Sequence, residues 1–442
     1  MNNKTTRRKF VQQTSLLAGG LLAAPLFSKG NFFSGSDDTI KVALIGCGGR
    51  GTGAAVQALS TKQNVQLVAM ADAFRDRIDS CYRAIANSLS EAGVTDAKRK
   101  FDVPEERKFV GFDAYAKAIP LADVVILTTP PGFRPIHFEE AVKQGKHVFM
   151  EKPVAVDPAG IKKVLDVAEI AKQKKLNVVV GLQRRYQNSY KALYERKDLI
   201  GDFMYAQAWW NSSGVWVYDR KPGQTEMEYQ MRNWYYFNWL CGDHIVEQHV
   251  HNIDVVNWFK GAYPVKAQGM GGRQVRTDKK YGEIFDHHYV EFHYADGSIM
   301  NSQCRHIPGT MGKVDELIVG TKGRIYADAA RIVDNKGNVL FAFDKNGENN
   351  PYQAEHDELF AAIAKGEYKF ADAEHGAKST LTGIIGRMAT YSGQVIDFEK
   401  ALNSGIDIMP KEFSFSATPP VVPNPDGTYP IPVPGKTKYN LG

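Results

Sequence analysis

Four cysteines in 442 residues are too few to staple a fold of this size. Cys47, Cys81, Cys241 and Cys304 share neither a metal-like spacing nor the even framework of a disulfide scaffold. The core must therefore be held by packing. Charge of one sign is also scarce: the net value of +6 is spread along the chain. With no dense Lys/Arg tract outside the N-terminus, nothing points to nucleic acid. No internal repeat is present. The apolar run at residues 15–27 is too short and too rich in glycine to span a bilayer stably. What remains is an ordinary globular composition, 43% apolar and 24% charged, long enough for two or three domains with their own cores.

The N-terminus stands apart. Arg7-Arg8-Lys9-Phe10 places an arginine pair ahead of that apolar run. The arrangement resembles a Tat export signal, which implies a periplasmic or otherwise exported protein. No cysteine follows closely, so no lipid anchor is expected, and residues 1–38 are set aside as signal and leader.

From residue 39 the pattern is that of alternating strands and helices. Residues 39–45 read as a buried strand leading into Gly46-Cys47-Gly48-Gly49-Arg50-Gly51, and residues 52–59 as a helix. Between a strand and a helix, Gly-x-Gly-x-x-Gly is a dinucleotide fingerprint. The first glycine makes the tight turn, the second admits the pyrophosphate, and the third lets helix pack on strand. A second strand at 65–71 ends in Asp72, 21 residues past Gly51. A carboxylate there accepts ribose hydroxyls and repels a 2′-phosphate, so NAD is favoured over NADP, with Arg75 and Arg77 close by. A third strand at 123–127 ends in Thr128-Thr129-Pro130. A fourth, Gly145 to Met150, runs into Glu151-Lys152-Pro153, where proline stops the ladder and leaves an amine at the strand's end. Residues 39–152 are thus expected to form a doubly wound parallel Rossmann domain.

A helix at 157–174 and a strand at 177–182 follow. Beyond residue 204, strands at 205–210, 267–276, 288–294, 298–304 and 315–325 predict a broad, mostly antiparallel sheet within a second α/β domain, residues 153–409. Helices are expected at 355–364 and 380–401. Eight of the twenty prolines lie after Met409, which makes residues 410–442 an extended arm over the body or a neighbouring subunit.

Two stretches carry chemistry. Residues 242–258 read as one helix, with His244, Glu247, His251, Asp254 and Trp258 on a single stripe. A carboxylate one turn before an imidazole orients it, raises its pKa and makes it a general acid/base, so His251 is the candidate and Glu247 its orienter. A buried, self-satisfied polar stripe is the bland alternative. Metal binding by His244, Glu247 and His251, with Asp286, His287 or His288, is the other; the spacing lacks a settled signature, and no metal is assigned. All six tryptophans fall between Trp209 and Trp258, which suits either a core or a platform for sugar rings.

Taken in order, the glycine fingerprint, Thr129-Pro130, Glu151-Lys152-Pro153 and the Glu247/His251 segment resemble the Gfo/Idh/MocA oxidoreductase family over residues 39–400. The resemblance implies NAD(P)-dependent oxidation or reduction of a sugar or polyol carbon, and an oligomer (dimer or tetramer) formed through the second sheet. By the same resemblance Lys152 and His251 flank the reacting carbinol, with Glu247 where the family often has Asp. The cofactor set is then Gly46, Gly48, Gly49, Arg50, Gly51, Asp72, Arg77, Thr129, Pro130, His137, Glu151, Lys152 and Gln183. The substrate set is Arg184, Tyr186, Trp234, His244 and His251. An exported member would hold NAD tightly, since no free pool is expected outside the cytoplasm. The expected function is a sugar or glycoside dehydrogenase, with C3 as the reacting carbon. An NAD-dependent glycosidase working through transient oxidation and a non-catalytic sugar-binding module are the alternatives.

Overall fold

The computed structural model describes residues 39–91 and 97–441. The Arg7-Arg8 signal lies outside them. Among the described residues no helix is long and apolar enough to cross a membrane.

Two sheets organise the chain. The first is parallel, with strands β1 (Ile40–Ile45), β2 (Val65–Asp72), β3 (Lys108–Val110), β4 (Val124–Leu127), β5 (His147–Met150) and β6 (Val178–Val180) in the order 3-2-1-4-5-6. Its strands are buried on both faces, which is why β4 reads Val-Val-Ile-Leu without alternation. The order reverses between β1 and β4, and a crevice opens there at the C-terminal strand ends. Gly46, Asp72, Thr128 and Glu151 all stand at this edge. Because β6 pairs with β5, the sheet runs on past residue 152, where the sequence reading ended the domain. The crossover is the helix Pro158–Gln173, capped by the Asp157 side chain.

The second sheet comprises β7 (Phe203–Ser212), β8 (Lys266–Gly272), β9 (His287–His293), β10 (Ile299–His306), β11 (Lys313–Gly320), β12 (Gly323–Tyr326), β13 (Arg331–Asp334), β14 (Val339–Ala342) and β15 (Ile396–Asp397). The order is 14-13-12-11-7-10-9-8-15, antiparallel except where β10 meets β7. Residues 315–325, expected as one strand, fold back at Thr321-Lys322 into β11 and β12. Along β9 and β10 every second residue is buried, so one face packs inward, Val290, Phe292 and Met300 meeting Ile384 and Met388 of the helix Ala373–Ser392. That helix stops at Gly393, φ +71°, which divides the single helix expected over 380–401.

Among the described residues after Met409 there is no regular element, yet the segment is held in place: Tyr429 is buried and Phe413 packs into the aromatic cluster of residues 227–241.

Candidate active site

A cavity of about 420 Å³ opens at the crevice. Gly46, Gly48 and Gly49 form its floor, Asp72 and Arg77 one end, Thr129, Pro130 and His137 the other. The glycines divide by role. Gly46 has φ +99°, and a Cβ there would lie 2.5 Å from the Thr129 backbone nitrogen; one on Gly51 would lie 2.0 Å from the Gly46 carbonyl oxygen. These two close the turn and seat the helix Gly49–Leu59. On Gly48 and Gly49 an added Cβ would meet nothing within 4 Å. The backbone is therefore bare just where the first turn of that helix offers its unpaired N–H groups, which suits a pyrophosphate. Asp72 accepts from Cys47 N at 2.7 Å and Phe74 N at 2.9 Å, which pins its carboxylate between the glycine loop and the next helix. Burial raises its pKa despite those bonds. His137 stacks on Phe133, and its Nδ1 lies 3.2 Å from the Thr129 hydroxyl. Burial holds it down to about 3, a neutral ring.

The charged corner lies at the ends of β5 and β6. Lys152 donates to the Glu247 carbonyl at 2.7 Å and to its Oε1 at 3.1 Å, and both side chains are 13% exposed. Arg50 turns away from the glycine floor to pair with Glu151 and Glu355. Glu151 is consequently a buried ion-pair partner, and Gly181 leaves it room: a Cβ there would come within 2.8 Å of the carboxylate. His251 is buried, its Nδ1 has no hydrogen-bond partner, and the Trp210 ring stacks on it at 6.0 Å. Burial first, and then the Lys152, Arg184 and Arg50 cations, hold its pKa well below the ordinary imidazole value.

This corrects the sequence reading of residues 242–258. The segment is two helices, His244–Glu247 and Val250–Lys260, broken at Gln248-His249. The break removes the i, i+4 relation, so Glu247 turns to Lys152 instead of orienting His251, and the imidazole pKa falls instead of rising. His244 is fully buried, its Nδ1 2.6 Å from Asp243 and its ring stacked on His306, so it faces no open site. Asp243, φ +70°, is the hub of that knot: one carboxylate oxygen accepts from the His244 backbone and ring, the other from Phe285 N and Tyr391, with His288 Nε2 3.2 Å from it. Asp243, His244 and His288 offer ligand atoms within 4.8 Å of one another. With each oxygen already accepting at least two hydrogens, the group is built as a buried anion held by donors.

Other expected contacts are also consumed internally. Tyr186 donates to Asp372 at 2.9 Å within the core. Arg184 pairs with buried Glu316 and lies over Tyr190. Gln183 donates to the Tyr352 hydroxyl at 3.2 Å, its own Oε1 unpartnered. Trp234 lines the cavity that holds the glycine floor, together with Trp216, Tyr218, Met231 and Arg232. Among the tryptophans only Trp210 stands against His251. Trp239 is core, donating to Gln230, and Trp258 stacks on Tyr194. The aromatic density flagged this region, but not which rings would face which space. Phe74, Phe112 and Phe133, which also line the cavity, carried no signal at all.

Residues 40–182 match the model of an oxidoreductase family with an NAD-binding Rossmann fold, GFO_IDH_MocA. Over these residues, its nucleotide domain, the chain matches the Gfo/Idh/MocA family. A relative from Rhizobium meliloti, inositol 2-dehydrogenase, is 24% identical over 74% of this chain and 90% of its own length. Other relatives match over less than half of theirs. Two solved structures share the fold: scyllo-inositol dehydrogenase from Lactobacillus casei with bound NAD(H) and scyllo-inositol (TM-score 0.60, 18% identity, 82% of this chain and all of that one), and aldose-aldose oxidoreductase from Caulobacter crescentus complexed with glycerol (TM-score 0.61, 16% identity, 81% and all). In this NAD-binding Rossmann domain, the bare glycine floor, the carboxylate at the end of β2 and the helix N-terminus between them fit NAD.

Proposed function

We propose that this protein is an exported, NAD-dependent dehydrogenase of a sugar or glycoside ring hydroxyl, C3 being the reacting carbon, that keeps its cofactor tightly bound. The observation that carries the reading is the Lys152–Glu247 pair with His251 at the C-terminal edge of an NAD-binding sheet. An ammonium has three donors. Glu247 takes two of them through its carbonyl and carboxylate, which leaves one N–H for a substrate oxygen. His251, kept neutral by burial, is free to accept the hydroxyl proton as that oxygen develops charge. Bound NAD supplies the hydride acceptor. Relatives named for inositol and fold neighbours named for scyllo-inositol and aldoses support a polyol or sugar substrate. The Arg7-Arg8 leader supports export, and export supports a cofactor recycled in place. An oligomer through the outer face of the second sheet, where Met270 is 75% exposed, belongs to the same reading.

The deciding experiment is mass spectrometry of products from a panel of glycosides incubated with the purified protein. A keto-glycoside is expected. Release of free sugar would replace the dehydrogenase with a redox-neutral glycosidase, and no product from any member would remove the enzymatic reading.

A further inference from the structure

A groove at the edge of a parallel sheet is ordinarily open to solvent above the strand ends. In this molecule it is roofed. Trp216, Tyr218, Trp234 and Arg232 of the second domain line the same cavity as Gly48 and Asp72. The roof is self-braced: Trp216 meets Trp234 at 5.7 Å and Tyr218 at 4.9 Å between ring centres. It is also fastened to the nucleotide domain. Arg232 makes two bonds to Asp76, at 2.7 and 2.9 Å, and its guanidinium lies 3.8 Å over the Phe74 ring.

The proline-rich arm supplies the outer layer. Phe415 packs on Phe74 at 5.2 Å and on Phe112 at 5.0 Å, and Phe413 on Phe133 at 5.6 Å. All three partners are cavity-lining rings. Further along, the Val421 carbonyl accepts from Gln230 at 2.7 Å, and the Tyr429 hydroxyl bonds Glu226 at 2.6 Å. Both anchors lie on Glu226–Arg232, the helix that carries Arg232. Roof and arm are thus tied to each other and, separately, to the rim of the nucleotide domain.

We propose that the arm and the helix Glu226–Arg232 form a clasp that retains the dinucleotide, so that the cofactor leaves only when Phe413, Phe415 and Arg232 release the rim. The proposal rests on the NAD-dependent reading and assigns its tight binding to named residues. Aromatic packing suits the task, since rings bury large area with little side-chain entropy lost, and the Arg232–Asp76 bonds give the closed state a fixed register.

The test measures release and not turnover. Full-length protein is loaded with NADH, desalted, and chased with excess NAD, and the loss of nicotinamide fluorescence gives the off-rate. Wild type is expected to carry NADH through desalting. Phe413→Ala/Phe415→Ala and, independently, Arg232→Gln are expected to release it at least about tenfold faster, the factor equal to ~1.4 kcal/mol of lost contact. Arg232→Gln alters a partly exposed pair, so it keeps the test decisive if the double variant does not fold. Equal off-rates in wild type and Arg232→Gln, or loss of NADH from wild type on desalting, overturn the clasp and leave the dehydrogenase reading standing. A wild type that takes up no NADH overturns both.

Discussion

The dinucleotide cavity and the Lys152 corner lie at the same sheet edge and are built on opposite principles. The cavity is made of bare backbone, apolar rings and a single carboxylate pinned by two N–H groups. The corner is made of charged side chains that pair with one another across four separate stretches of chain, Arg50 with Glu151 and Glu355, Lys152 with Glu247. Shape governs the first and charge balance the second. Substitutions that add volume should injure the cavity, whereas substitutions that delete charge should injure the corner and spare binding.

The largest effect expected is at Lys152. Lys152→Ala should lower turnover by about 10²–10⁴, the range for a lost acid/base or oxyanion group, with NADH affinity unchanged in fluorescence titration. A parallel collapse of NADH affinity would erase the distinction between the two regions. Next come the glycines. Gly51→Ala forces a Cβ against the Gly46 carbonyl and should destabilise the fold by about 1–3 kcal/mol in urea titration. Gly48→Ala meets open space, so its unfolding midpoint without cofactor should match wild type while NADH affinity falls. Equal stability losses at both positions would show that the loop is structural throughout.

The corner has a pH signature. His251 is depressed by burial and by neighbouring cations, so the imidazole stays deprotonated on descending through its ordinary range. The acid limb of kcat/KM should therefore fall below about pH 6.5, the free imidazole value. A limb at or above that pH assigns the proton elsewhere. The smallest effect is at His249, buried beside Ser302 and held down to about 3. Between pH 6.5 and 3 the unfolded chain protonates this ring and the native state does not, so it contributes a loss of stability as pH falls. His249→Gln should thus gain on wild type between pH 6 and 4, by at most ~1.4 kcal/mol per pH unit, in paired denaturant curves. A gap that is constant with pH would mean the ring titrates alike in both states.

The two regions also differ in how far they were legible beforehand. Gly46, Gly48, Gly51 and Asp72 are local: one turn and one strand end decide what they do, and 27 residues of sequence hold them all. The corner is a meeting of distant segments. Glu247 sits in a stretch whose helical periodicity was readable, but the helix breaks at Gln248-His249, whose side chains bond His306 and Ser302 of a strand more than 50 residues away. Without that break, Glu247 would stand over His251 instead of reaching 95 residues back to Lys152. Arg50 illustrates the same limit, a member of the fingerprint by position whose side chain leaves it for a carboxylate 101 residues away.

By itself, then, the amino-acid order determined the alternating strands and helices of the nucleotide domain, its glycine turn, and the proline that halts the chain after Lys152. Each of these follows from sterics and burial within a few residues. The tertiary structure alone decided which carboxylate meets Lys152, that His251 is neutral and unpartnered, and that two tryptophans and a proline-rich arm roof the cavity. Those outcomes depend on desolvation and on charges brought together through space, which no local pattern encodes.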